Sequence, residues 1–161
     1  LGYLSLLEQF ILNLAFKSEN SEVILLGNKG AKDKIEKLNL RLENYMVVEN
    51  KTIKEVLSWI SCKNILLTSP NNFITFNHNY FYDNGTNNDL VCLHDKTNTI
   101  PYNYLFAIKG SVINKLLDLN FDFLEDIDLK ALSKEVESVK WYNLLNATDI
   151  DKVKNIYQSL I

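Results

Sequence analysis

Glu22-Val23-Ile24-Leu25-Leu26-Gly27, then Asn28-Lys29-Gly30, then Ala31-Lys32-Asp33-Lys34-Ile35-Glu36-Lys37-Leu38 reads as strand, glycine-bounded turn and helix. A short strand whose consecutive residues are all apolar has the pattern of one covered on both faces, as in a parallel sheet flanked by helices. The pattern continues downstream. Tyr45–Val48 is a second such run, and Thr52 and Glu55 have the spacing of a capping box ahead of Ile53, Val56, Leu57 and Ile60. Asn64-Ile65-Leu66-Leu67-Thr68 is a third buried strand, stopped by Ser69-Pro70.

Upstream, Leu4, Leu7, Phe10, Ile11 and Leu14 recur at helical spacing over 3–17. Downstream, Phe73–Phe76 is a short extended run, and 83–88 holds no apolar side chain and is a loop. Asp89–His94 and Tyr102–Ile108 read as strands, and Ser111 as the cap of a helix bearing Ile113, Leu116 and Leu117. Leu124–Val136 reads as helix, Val139–Leu145 as strand, and Thr148 as the cap of a last helix. Strands alternating with helices predict an α/β fold: three layers, a mostly parallel mixed sheet flanked by helices, with an antiparallel insertion in the middle. The segments 22–26, 45–48 and 64–68 are expected to be neighbours in one layer. No linker or repeat interrupts residues 1–161, so one domain is expected.

Composition narrows the function classes. The 17 basic residues against 20 acidic ones give a net charge of −3, and the two signs are interspersed, so there is no basic footprint for nucleic acid or an anionic membrane. No apolar stretch approaches the roughly 20 residues of a membrane span. Cys62 and Cys92 lie apart without metal-type spacing, beside strand-like runs where a cysteine is usually a small buried hydrophobe. With no secretory signal visible, a cytoplasmic location is expected.

Each candidate for chemistry also has a plain structural account. The Gly27–Gly30 loop lies between strand and helix, where backbone N–H groups can hold an anion. It lacks the spacing of known phosphate loops, and a simple strand-to-helix turn explains it. His94, beside Asp95, could be an oriented base. Cys92 and His94 share one strand face, but two ligands are too few for a metal. Glu125, Asp126 and Asp128 open a helix, where acids are stabilised by unpaired amides.

Read in order, these pieces resemble the nucleotidyltransferases with a GT-A-like Rossmann fold, the sugar-1-phosphate and MobA-like NTP transferases. Leu4-Ser5-Leu6-Leu7-Glu8-Gln9 is similar to the helix after that family's signature loop. Glu22–Gly27 with Lys32–Glu36 is similar to its second strand and helix. Asn64–Phe73 falls where the family has a strand ending in Gly-Asp. Tyr104-Leu105-Phe106-Ala107-Ile108-Lys109 is similar to a later strand. Trp141, Asn146 and Asp149-Ile150-Asp151-Lys152 are similar to the closing Trp-x-Asp-Ile-Asn segment.

The departures lie at the chemistry. The family's first strand and Gly-rich phosphate loop would precede Leu1. Its two acids that hold Mg²⁺ fall at Asn71-Asn72 and at Leu144, which carry no charge for a hard cation, so no protein ligand to a metal is assigned. The resemblance implies a domain that binds a nucleotide or a sugar phosphate, with catalysis reduced or lost. An active NTP transferase using Mg²⁺ and completed by residues upstream, or a non-catalytic scaffold with a protein partner or larger parent chain, stands as the alternative. Under it Asn71, Asn72, Glu125 and Asp126 are the candidate catalytic residues, and Gly27, Lys109 and Thr52 the candidate substrate contacts.

Overall fold

The computed structural model describes residues 22–37, 45–68, 88–94, 101–103 and 105–143. The expected helices at 3–17 and after Thr148, the run at 73–76 and most of the loop at 83–88 lie outside the described residues. Among the described residues there are six strands: β1 (Val23–Gly27), β2 (Tyr45–Glu49), β3 (Asn64–Thr68), β4 (Leu90–His94), β5 (Leu105–Lys109) and β6 (Val139–Asn143). Four helices accompany them among the described residues: α1 (Ala31–Lys37), α2 (Ile53–Trp59), α3 (Ile113–Leu117) and α4 (Leu129–Glu135).

The class is α/β, with sheets flanked by helices. The strands form two hydrogen-bonded sheets. In one, β1 and β2 pair in parallel, Val23 opposite Tyr45 and Gly27 opposite Glu49, with α1 joining them and lying along β2. The other has the order β3-β5-β4-β6. There β4 and β6 are parallel, while β5 runs antiparallel to both β3 and β4. It follows that β3, β4 and β6 share one direction and β5 is the reversed strand.

The expected trio of neighbours is therefore only half formed. The runs at 22–26 and 45–48 pair with each other, but 64–68 pairs with 105–109 in the second sheet. Burial, and then the Glu22 carboxylate, push the Cys62 thiol up.

Side-chain alternation splits the four-stranded sheet into two faces. Ile65, Leu90, Cys92, Phe106 and Ile108 face a large cluster completed by Leu57 of α2, Leu116 of α3, Leu124, Ile127 and Leu129 and Leu132 of α4. Val91, Leu93, Leu105 and Ala107 form a second cluster on the opposite face. Cross-strand partners agree with this division, since Leu67 lies opposite Phe106 and Leu66 opposite Ala107.

Three boundaries differ from expectation. Ser111 does not cap α3: it lies inside a 3-10 turn, Gly110–Val112, that leads straight into the helix. The expected helix 124–136 is broken into a 3-10 turn, Leu124–Asp126, and α4. The break is made by caps. Asp126 Oδ2 accepts from the Phe123 amide, and Asp128 Oδ1 accepts from the Ala131 amide, so two acids serve two separate starts. Finally β5 begins at Leu105 and not at Tyr102, because the chain bulges before it.

Candidate functional site at the carboxyl rim

In a sheet of parallel strands, the carboxyl ends turn into loops whose backbone groups are not consumed by the ladder, and ligands collect there. Gly27 and Glu49 end the parallel pair β1 and β2, and in the second sheet Thr68 and His94 end β3 and β4, which run in one direction.

The Gly27–Gly30 loop is closed by its own chain. Glu49 Oε1 accepts from the Lys32 amide at 2.9 Å, and Asn28 O accepts from the Ala31 amide at 3.0 Å. Two amides at the start of α1 are thus already answered, one of them by a carboxylate. Gly27 has a steric role: a Cβ there would meet the Ala31 Cβ at 2.5 Å. Gly30 supplies the positive φ of 88° that the turn needs, and the loop is tied to β2 by the Asn50 amide donating to Gly27 O.

Thr52 follows β2 and is engaged as the N-cap of α2. Its hydroxyl accepts from the Glu55 amide at 3.1 Å, and Glu55 Oε2 accepts from the Thr52 amide at 3.3 Å. The sequence pattern is realised as a full capping box. Thr52→Ala is expected to lower stability by about 1 kcal/mol, read as a shift in the urea midpoint. A loss under a few tenths would show that the cap contributes nothing.

His94 ends β4, half-buried, with its ring stacked on Trp141 of β6 at 4.1 Å between centroids and 13° between planes. Trp141 lies opposite Cys92 in the ladder and packs on the larger cluster. The stack therefore fixes the plane of an imidazole at the sheet's edge. Cys92 is fully buried, and burial pushes its thiol up, which suppresses the thiolate that a metal or an electrophile would need.

Asn103 lies beside the end of β4, held there by the His94–Pro101 bridge and by the Tyr102 amide donating to Leu93 O at 2.8 Å. Its Nδ2 donates to Glu125 O and Ile127 O, both at 2.9 Å. Those bonds tether the segment carrying Glu125 and Asp126 to the rim. The Glu125 side chain is exposed, whereas Asp126 is spent on its cap.

The structure does not bring Lys109 to this group. Lys109 ends the reversed strand β5 and lies opposite Asn64, the first residue of β3, at the far end of the sheet from Thr68. There its amide donates to Asp89 O, and the Gly110 amide to Lys63 O. Asn71 and Asn72 lie outside the described residues, a few positions past Thr68. Among the described residues, no three His, Cys, Asp or Glu side chains converge as metal ligands. No helix among them is long and apolar enough to cross a membrane.

Sequence reasoning missed Asn103 and the His94–Trp141 stack. The first had a signal: an amide between two tyrosines, Tyr102-Asn103-Tyr104, interrupts an otherwise strand-like run. The second had none, because Trp141 meets His94 only through the β4–β6 pairing.

No protein-family model matches the chain, and no curated protein matches it. Solved structures do. A homologue of Mycobacterium tuberculosis Rv0371c from Mycobacterium sp. strain JC1 aligns over 91% of this chain and 81% of its own, with a TM-score of 0.56 and 12% identity. Rv0371c from M. tuberculosis H37Rv aligns over 89% of this chain and 76% of its own, with a TM-score of 0.57 and 15% identity. Rv0371c in complex with manganese aligns over 88% and 81%, with a TM-score of 0.53 and 14% identity. At these identities the likeness is one of fold: the chain is similar in α/β architecture to Rv0371c over most of both lengths.

Proposed function

We propose that residues 1–161 form a nucleotidyltransferase-like domain that binds a nucleotide or a sugar phosphate at the carboxyl rim, with reduced or lost catalysis. The observation that carries it is the gathering of His94, Asn103 and the Glu125 segment at one end of a sheet whose β3, β4 and β6 all terminate there. The order of sequence pieces resembling sugar-phosphate nucleotidyltransferases supports the same reading. Because a carboxylate, Glu49, already accepts from the amide at the Gly27–Gly30 turn, the reading has ligand phosphates bind away from that turn. No ligand set for a divalent ion is assigned among the described residues, and no step is routed through one.

The test is calorimetric titration with CTP, GTP, ATP and UTP, each with Mg²⁺ and with Mn²⁺, the second because a structural relative was solved with manganese. Saturable heat with at least one nucleotide is expected. Silence with all of them sinks the nucleotide reading. In an active form, an oxygen of a phosphate monoester would attack the α-phosphorus of the NTP and pyrophosphate would leave. Release of pyrophosphate on adding sugar phosphates to the bound nucleotide distinguishes that form from a binding domain.

A scaffold role is favoured by a different observation. Ile24, Leu26, Met46 and Val48 share one face of the β1–β2 sheet, where Leu26 is 41% and Met46 49% exposed. A single apolar residue on a surface needs no explanation, but neighbouring ones on a sheet face suit a protein contact. Nucleotide-independent complex formation, lost in Leu26→Lys/Met46→Lys, would support it.

A further inference from the structure

The register between β4 and β5 is irregular. Val91 faces Ala107 and His94 faces Pro101, so three steps along β4 are matched by six on the other side. The extra residues make a bulge at the rim, and Asn103 sits in it. Bulges interrupt a ladder and are over-represented next to functional sites, where they re-aim a side chain. Here the re-aimed side chain is an amide whose two halves are treated differently. Both Nδ2 hydrogens go to carbonyls of the Glu125–Ile127 segment. Oδ1 is buried and has no hydrogen-bond partner. Leaving a buried acceptor unanswered is costly, and tethering two carbonyls does not require that oxygen. With the donors consumed, Asn103 can only accept.

We propose that Asn103 Oδ1 accepts a hydrogen bond from a hydroxyl of a polyol or sugar phosphate, and that the exposed Glu125 carboxylate takes a neighbouring hydroxyl of the same ligand. The class follows from the donor–acceptor balance. An amide oxygen left to accept, on a segment tied to the backbone that carries the exposed Glu125 carboxylate, fits a ligand that presents hydroxyl donors, as a polyol does, and repels the oxygens of a phosphate. His94, flat on Trp141, ends the neighbouring strand and bridges to Pro101, two residues before Asn103. The inference rests on the carboxyl-rim reading above and names the part of the ligand recognised there.

The test reads the Asn103 side-chain amide directly. In ¹⁵N-labelled protein its Nδ2 signals are identified by their loss in Asn103→Ala. The protein is then titrated with glycerol 3-phosphate, ribose 5-phosphate, glucose 1-phosphate, inorganic phosphate and CTP. At least one polyol phosphate is expected to move those signals saturably while inorganic phosphate leaves them in place. Asn103→Ala should weaken that ligand about tenfold. Glu125→Gln, an exposed change that keeps the fold, should weaken it measurably even where Asn103→Ala fails to fold. Signals unmoved by all three polyol phosphates, or moved equally by inorganic phosphate, overturn the inference. If CTP still binds in that case, the domain's nucleotide reading stands without it; if neither class binds, both fall.

Discussion

Gly110→Ala is expected to cost at least about 3 kcal/mol of stability, enough to leave little folded protein at moderate denaturant. Gly110 is the first residue after β5, where the chain leaves the sheet for the 3-10 turn before α3. A Cβ there would lie 1.8 Å from the Cys62 carbonyl oxygen and 3.1 Å from the Cys62 carbonyl carbon. No real Cβ approaches a backbone oxygen so closely, and neither side can retreat cheaply. The Gly110 amide donates to Lys63 O at 2.9 Å, and the adjacent Lys109 is in register with Asn64. Moving the β5 end away would break the edge that joins β3 to the rest of its sheet. Gly30→Ala is the matched comparison, since its Cβ would meet nothing within 4 Å and only the φ of 88° opposes it. That strain costs about 1 kcal/mol. Urea unfolding of the two variants separates the mechanisms. Equal midpoints for Gly110→Ala and the parent protein would refute the close approach of residue 110 to residue 62.

Phe106→Ala is expected to cost about 3–5 kcal/mol through lost burial and the cavity left behind. Phe106 is fully buried at the second position of β5, opposite Leu67, and faces the larger cluster. Its strand pairs with both β3 and β4. A cavity under it therefore loosens the joint between two halves of the sheet. Against a domain stability of about 5–15 kcal/mol, such a loss takes a large part of the total. Phe123→Ala deletes the same side chain from a site 68% exposed and should stay within about 0.5 kcal/mol of the parent. Thermal unfolding followed by circular dichroism reads both. A small effect at Phe106 would mean that the β5-centred core is not the one that holds the domain together.

Much of the secondary structure was legible because it is encoded locally. The apolar runs of β1, β2 and β3 stand where composition puts them, to within a residue. Thr52 and Glu55 make the capping box that their spacing announces, because a cap depends only on residues three apart. Where local signals competed, reading failed. Leu124–Val136 carries one helical periodicity, yet two acids in it can each start a helix, and both do, so the helix breaks at Ile127-Asp128. At Tyr102 the strand-like composition is real, but the ladder begins only at Leu105, because the bulge is a property of two strands together. Less of the candidate site was legible: Lys109 was named from the resemblance as a substrate contact, and that the reversal of β5 sets it at the opposite end of the sheet from Thr68 is a property of strand pairing.

The amino-acid order by itself determined the class of fold, the identity of most strands and helices, the caps, and the absence of any strongly basic surface composition. These follow from interactions between residues a few positions apart or from sums over the chain. Tertiary structure alone decided which strands are neighbours, which one is reversed, and hence which side chains meet at the rim. His94 is 47 residues from Trp141, and Asn103 is 22 from Glu125. Contacts across such separations depend on pairing partner and register, and these are chosen by the burial of whole faces, which no local window of sequence contains.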